Sequence, residues 1–269
     1  MIEPLISRTA RRTVALLLLT LAGACSTTND EFKGLSAEKL YADAKELMES
    51  GNWSAAIKPL ERIESRAGGS LLAQQAQIDL AYAHWKASEK PQALVILDRF
   101  IKLNPSSSGL DYALYLRGLI NFNDDSSLLS SWAGQSMGER DQQASREAYQ
   151  SFKQLVEQFP DSKYSPDARL RMNYISNVLA DYEVNVARYY LRRGAYLAAA
   201  NRAQQALTTY PQTPAGEEAL FIMSQAYAKL DMTTLRDDAL RVLRLNFPQS
   251  AFLKDGQVTQ REKRWWHLW

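Results

Sequence analysis

An all-α fold is predicted, a solenoid of about five helix-turn-helix repeats, and three observations predict it. Residues 183–211, EVNVARYYLRRGAYLAAANRAQQALTTYP, read as two helices and a turn. Val186, Ala187 and Tyr190 recur at helical spacing, Gly194 breaks the pattern, and Tyr196, Ala199, Ala203 and Ala206 form one stripe that Pro211 ends. The unit then recurs. With Ala199 as the reference, Ala56, Ala93, Ala148 and Arg236 take the same place, because twelve residues later stand Gly68, Pro105, Pro160, Pro211 and Pro248. The intervals between reference points are 37, 55, 51 and 37 residues. That period lies near the roughly 34 residues of a tetratricopeptide repeat, with two enlarged copies in the middle.

The N-terminus, residues 1–24, reads as a lipoprotein signal peptide. Arg8, Arg11 and Arg12 form a charged region, Val14 to Leu21 an apolar region too short to span a bilayer, and Ala22-Gly23-Ala24 a small-residue cleavage site. Cleavage leaves Cys25, the sole cysteine, as first residue. This resembles the lipobox of bacterial lipoproteins, whose thiol receives a diacylglycerol and whose freed amine receives a fatty acid. The leucine usual three residues before the cysteine stands four before, at Leu21, and Ala22 takes its place. Ordinary signal peptidase would instead release a soluble periplasmic protein, and Arg11-Arg12 leaves a twin-arginine signal open. Ser26 after the cysteine, where an aspartate would retain the protein, implies the inner leaflet of the outer membrane. Residues 25–35 then carry the lipid and a polar tether.

Repeats one to three are expected over 36–159. Ser36 in SAEK supplies a helix start, Leu40, Ala44 and Leu47 an inward stripe, and Gly51 the turn before Trp53, Ala56, Leu60 and Ile63. Repeat two follows Gly68-Gly69 with Leu80, Ala81 and His84, then Ala93, Leu97 and Phe100. Repeat three begins with a helix from about Leu110 to Phe122, with Gly118 at a small contact position. Ala148 then lies 30 residues beyond Gly118, where Ala56 lies 12 beyond Ala44, so 18 extra residues around 123–142, rich in Ser, Gly and Asp, read as a surface loop.

Repeats four and five occupy 160–250. The extra residues of repeat four continue a helical pattern, Leu170, Tyr174, Val178 and Tyr182, which predicts one long helix from about Pro166 to Arg193. Repeat five carries Leu220, Met223, Ser224 and Tyr227, and Leu240 is expected at the apolar site that Leu60, Leu97, Phe152 and Ala203 fill elsewhere. The tail, 251–269, ends in Arg261, Lys263 and Arg264 beside Trp265, Trp266 and Trp269. That composition suits a bilayer interface, an aromatic-lined groove on a partner, or the open face of the last repeat.

Charge and composition narrow the function classes. Removing residues 1–24, with three Arg and one Glu, leaves 29 basic and 29 acidic side chains, which argues against nucleic acid as partner. The only histidines are His84 and His267, so neither a metal site nor a Ser/His/Asp set is expected, and no phosphate-cradling glycine loop or cofactor motif is present. Carboxylate pairs such as Asp124-Asp125 and Asp237-Asp238 read as solvated faces. What remains is a binding scaffold and no enzyme. Stacked hairpins make a concave surface for an extended peptide, and Tyr41, Tyr82, Trp85, Tyr112 and Tyr115 on first helices are its expected lining.

The run Leu179-Ala180-Asp181-Tyr182-Glu183, with Val186-Ala187, Tyr189-Tyr190, Arg193-Gly194-Ala195-Tyr196 and Asn201-Arg202, resembles the BamD (ComL) family, the lipoprotein D subunits of the outer-membrane barrel-assembly machine. The likeness covers about Leu35 to Phe252. It implies a non-catalytic member of a complex that inserts β-barrel proteins into the outer membrane. Repeats four and five would grip the periplasmic domain of a BamA-like central subunit, with Arg202, Asn201 and Arg193 at that interface and accessory lipoproteins nearby. Repeats one to three would receive unfolded barrel-protein segments. Tyr182 and Glu183 are expected to brace the long helix. The alternative is a periplasmic tetratricopeptide adaptor for cell-wall synthesis or division enzymes.

Overall fold

The computed structural model describes residues 32–122 and 139–255. The signal peptide, Cys25, the loop expected before position 139 and the tryptophans Trp265, Trp266 and Trp269 lie outside the described residues. Helices follow one another in pairs: α1 Ala37–Glu49 with α2 Trp53–Ala67, α3 Leu71–Lys86 with α4 Lys90–Leu103, and α5 Leu110–Asn121 with α6 Glu139–Gln158. Then come α7 Ser165–Arg192 with α8 Tyr196–Thr209, α9 Ala215–Lys229 with α10 Thr233–Asn246, and the short α11 Ala251–Asp255. The expected loop around 123–142 is therefore shortened, because α6 already begins at Glu139.

Two backbone turns generate the repeat. Within a pair, a residue of left-handed backbone ends the first helix: Gly51 (φ 78°), Ser88 (φ 67°), Gly194 (φ 77°) and Asp231 (φ 58°). The next residue's N–H reaches back to a carbonyl of the last turn, Asn52 to Leu47 (2.8 Å), Glu89 to His84 (2.8 Å), Ala195 to Tyr190 (3.0 Å) and Met232 to Tyr227 (3.0 Å). This closes helix carbonyls that would otherwise lack a donor, and the new helix starts one residue later. Between pairs, Asn104-Pro105, Phe159-Pro160, Tyr210-Pro211 and Phe247-Pro248 stop the second helix, since proline has no N–H to continue it. Two residues past each proline, Ser107, Ser162, Thr213 and Ser250 donate their N–H to the residue before it, at 3.0–3.3 Å. Ser36 and Ser70 cap α1 and α3 by accepting the Lys39 and Ala73 N–H groups at 3.2 and 3.1 Å.

The apolar core runs along the stack in successive clusters, each drawn from neighbouring helices. Leu40, Ala44, Ala56, Leu60, Ile63 and Ala76 join α1 to α3. Ile78, Ala93, Leu97, Phe100 and Leu116 join α3 to α5, and Leu114, Phe152, Leu155, Ala168 and Ile175 join α5 to α7. Ala180, Val184, Ala187, Ala199, Ala203 and Ala219 join α7 to α9, and Leu220, Phe221 and Leu243 close the series. Every odd-numbered helix from α3 to α9 serves two clusters, which is how a solenoid buries surface without a single centre.

The 28-residue α7 matches the expected long helix to within a residue at each end. Its buried face carries Ala168, Ile175, Leu179, Ala180, Val184 and Ala187, while Leu170 and Tyr174 of the stripe read from sequence are 69% and 48% exposed. Both stripes have helical period, and the narrower one, with three alanines, lets the neighbouring helices approach. Repeat five also differs. Arg236 stands at the reference position half-exposed, paired with Asp237 at 2.8 Å, and Leu240 is only partly covered, while Ala239 and Leu243 are buried. Among the described residues α10 is the last long helix, and its cluster is completed by α9, by Leu207 of α8 and by Phe252 and Leu253 of the short α11. There Phe252 stacks on Phe221 with ring centroids 5.0 Å apart. Among the described residues no helix is long and apolar enough to cross a membrane.

Candidate functional site

The first helices of successive pairs carry a line of aromatic side chains, and four of the five residues read from sequence are joined through it. Tyr82 on α3 meets Trp53 at the start of α2 edge-on (5.5 Å) and Trp85 edge-on (5.8 Å). On α5, Tyr112 and Tyr115 both lie against Tyr164 from the turn before α7, at 5.3 and 4.8 Å. Tyr82 and Tyr112 pack into one cluster between α3 and α5, so the line crosses that pair boundary. Tyr41 joins from α1 through a hydrogen bond from its hydroxyl to Asp79 Oδ2 (2.8 Å). Edge-on and offset-stacked rings each contribute about 0.5–1.5 kcal/mol beyond area burial.

Carboxylates set into the wall are all taken up by the chain itself. Asp79 accepts from Tyr41 and from Gln75 (3.2 Å). Asp111 accepts from the Ser162 hydroxyl (2.7 Å) and its neighbour's backbone N–H. Asp167 accepts from the Tyr115 hydroxyl (2.7 Å) and from Arg171 Nε (2.6 Å). Burial disfavours the charged form of Asp167, but hydrogen bonds from Arg171 and Tyr115 outweigh it and hold the carboxyl below its usual range. Burial, helped by nearby Tyr164, Tyr82 and Asp79, pushes the Tyr112 hydroxyl up to about 12. Tyr41 and Tyr115 are also raised, by burial first and then by the hydrogen bonds to Asp79 and Asp167.

Sequence reasoning missed Asp79, Tyr164 and Asp167, and also Lys86, which lies over three rings at once. Its Nζ is 5.8 Å from the Trp53 centroid, 5.9 Å from Tyr82 and 5.6 Å from Trp85. Lys86 follows Tyr82 by four positions, one helical turn, which was a usable signal. Tyr164 offered none, since it sits in a turn and its partners are about fifty residues away in sequence. His84 is buried, with Nδ1 2.6 Å from Glu89 Oε2 across the turn, a structural position as expected.

The second group read from sequence lies where α7 meets α8. Asn201 and Arg193 are exposed, with the Arg193 guanidinium 5.5 Å from the Tyr189 ring centre. Arg202 does leave the alanine stripe, but its guanidinium already bonds Glu183 Oε2 at 3.0 Å. The Glu183 side chain is 2% exposed and that of Arg202 41%, so one edge of the guanidinium neutralises a buried carboxylate and the other faces outward. Arg188 and Glu218, 15% and 12% exposed, make a second pair at 2.6 Å. Together the pairs clamp α7 to α8 and to α9, and Glu183 braces the long helix as expected. Tyr182 instead lines a cavity of about 210 Å³ with Ser145 of α6 and Val178. Among the described residues no cluster of His, Cys, Asp and Glu converges as a metal site.

Comparison with known proteins gives consistent matches along most of this length. A family model described as "YfiO: Outer membrane lipoprotein" matches residues 34–243. The chain is 49% identical over 234 residues to the outer membrane protein assembly factor BamD of Neisseria meningitidis serogroup B, covering 87% of each. It is 45% identical to that of Neisseria gonorrhoeae, over 96% of this chain and 97% of the relative. To that of Vibrio cholerae it is 35% identical, over 86% and 96%.

Proposed function

We propose a function from the premise that this chain belongs to the YfiO family of outer membrane lipoproteins, which includes the BamD assembly factors. It is an outer membrane protein assembly factor, a non-catalytic protein of the BAM complex, and it acts by holding other chains. Membership of this family decides against the cell-wall adaptor. Lipidation of Cys25 anchors it at the periplasmic face of the outer membrane. Repeats one to three, with the start of α7, receive extended segments of unfolded barrel proteins along Tyr41, Tyr82, Trp85, Tyr112 and Tyr115. The outward edge of Arg202, with Asn201 and Arg193, meets a periplasmic domain of a BamA-like central subunit, and accessory lipoproteins complete the assembly.

The observation that carries this reading is the continuity of the aromatic wall from α1 through α3 and α5 to the turn before α7, separate from the Arg202 surface. An extended chain needs a long, preformed surface with repeated pockets, whereas a folded partner needs a charged patch on rigid elements. Two variants separate the roles. Tyr82→Ala with Tyr112→Ala should reduce photocrosslinking to a newly exported barrel protein while the central subunit still co-purifies. Arg202→Gln with Glu183→Gln keeps the α7–α8 contact neutral and should reverse that outcome. Loss of both activities in both variants, with helicity intact, would refute two separate surfaces.

A further inference from the structure

The aromatic wall holds two lysine ammonium groups over its ring faces, and they identify the side chains it selects. Resting on the reading of the aromatic wall as a client groove, we propose that Lys86 and Lys163 are paired receptors for side-chain carboxylates. The client they fit is an extended segment in which aspartate or glutamate is interspersed with aromatic residues.

Each acid of the wall is already satisfied internally: Asp79 by Tyr41 and Gln75, Asp111 by Ser162, and Asp167 by Tyr115 and Arg171. Arg171, one helical turn after Asp167 on α7, is taken by Asp167 at 2.6 Å. Lys86 and Lys163 differ. Both side chains are exposed, and among the described residues their ammonium groups lie over ring faces: Trp53, Tyr82 and Trp85 for Lys86, and Tyr164 at 5.0 Å for Lys163. A ring face attracts the ammonium through its quadrupole but accepts no strong hydrogen bond, so the N–H groups remain available. The rings also restrict the long lysine side chains, so less entropy is lost when a carboxylate arrives.

Among the described residues two such cations lie along the wall, one in repeat two and one in the turn entering repeat four, with Tyr82, Tyr112 and Tyr164 between them. A polypeptide has one terminal carboxylate, so a chain end serves only one of the two. Acidic side chains within a segment serve both, and the intervening tyrosines contact aromatic residues between them. Alternate side chains of an extended segment point the same way, which lets one face of the segment carry both kinds of contact.

Fluorescence anisotropy with the full-length lipidated protein in detergent tests this, using a synthetic peptide in which tyrosine alternates with glutamate. A second peptide replaces every glutamate by glutamine, and a third is the glutamate peptide with an amidated C-terminus. The wild-type protein should bind the glutamate peptide and its amidated form equally, and the glutamine peptide about tenfold more weakly. Lys86→Gln and Lys163→Gln should each weaken the glutamate peptide about three- to tenfold and leave the glutamine peptide unchanged, while Lys86→Arg should restore binding. Equal binding of the glutamate and glutamine peptides would overturn the carboxylate preference while leaving the groove itself intact. Loss of binding on amidation would show that the chain terminus is the group held, and would overturn the side-chain assignment. Failure of all three peptides to bind the wild type would overturn the groove reading together with the proposal.

Discussion

Replacing Gly118 by alanine tests the packing of the third pair. A Cβ built on Gly118 falls 2.6 and 2.7 Å from Cδ1 and Cζ of Phe152, and closer still to Cε1. Real Cβ contacts are not that short, so the ring has to move. Phe152 is fully buried and touched by Tyr115 and Phe122 at centroid separations of 6.1 and 6.4 Å, so its displacement propagates into the aromatic wall. Overpacking of this kind costs about 1–3 kcal/mol. Alanine recovers up to about 1 kcal/mol of helix propensity within α5, leaving a net loss on the order of 1–2 kcal/mol. For a protein of this size that lowers the melting temperature by roughly 2–8 °C, readable by circular dichroism. Phe152→Leu in the same background removes the clashing ring edge, so the double variant should lose less than the sum of the two singles. A melting temperature unchanged or raised in Gly118→Ala alone would refute the close approach of α5 and α6.

Two further outcomes follow from the same residues and from the N-terminus. Cys25→Ser should give a folded protein that high-salt washing releases from membranes. Each acyl CH₂ contributes about 0.8 kcal/mol of membrane affinity, so retention of the variant would exclude the lipid anchor. The third concerns Tyr112, whose folded pKa is raised from 10.0 to about 12. A raised pKa contributes stability that is fully present below the unfolded value and is lost as pH rises through the folded one. The urea midpoint of the wild type should therefore fall as pH rises from about 10 toward about 12, and Tyr112→Phe should fall less over that window. An equal fall in both would place the Tyr112 hydroxyl in water.

The repeat period, the hairpin boundaries and the long α7 were legible because they depend on local chemistry. Gly51 and Gly194 mark left-handed turns by lacking a Cβ, and the four prolines mark helix ends by lacking an N–H. Ser88 and Asp231 adopt the same turn conformation without glycine, so only the backbone geometry identifies them. The line of Tyr41, Tyr82, Tyr112 and Tyr115 was readable from helical phase, since first helices repeat the same orientation along a stack.

What sequence could not determine is which of two periodic stripes on α7 is buried, because Leu170–Tyr174–Val178–Tyr182 and Ala168–Ile175–Leu179 share one period. Packing decided it, through the closeness that small side chains permit. Nor could it show that Arg202 meets Glu183, or Tyr115 meets Asp167. Those partners are brought together by superposition of separate hairpins, and a pairing across that distance follows from the path of the chain in space and not from the spacing of its residues.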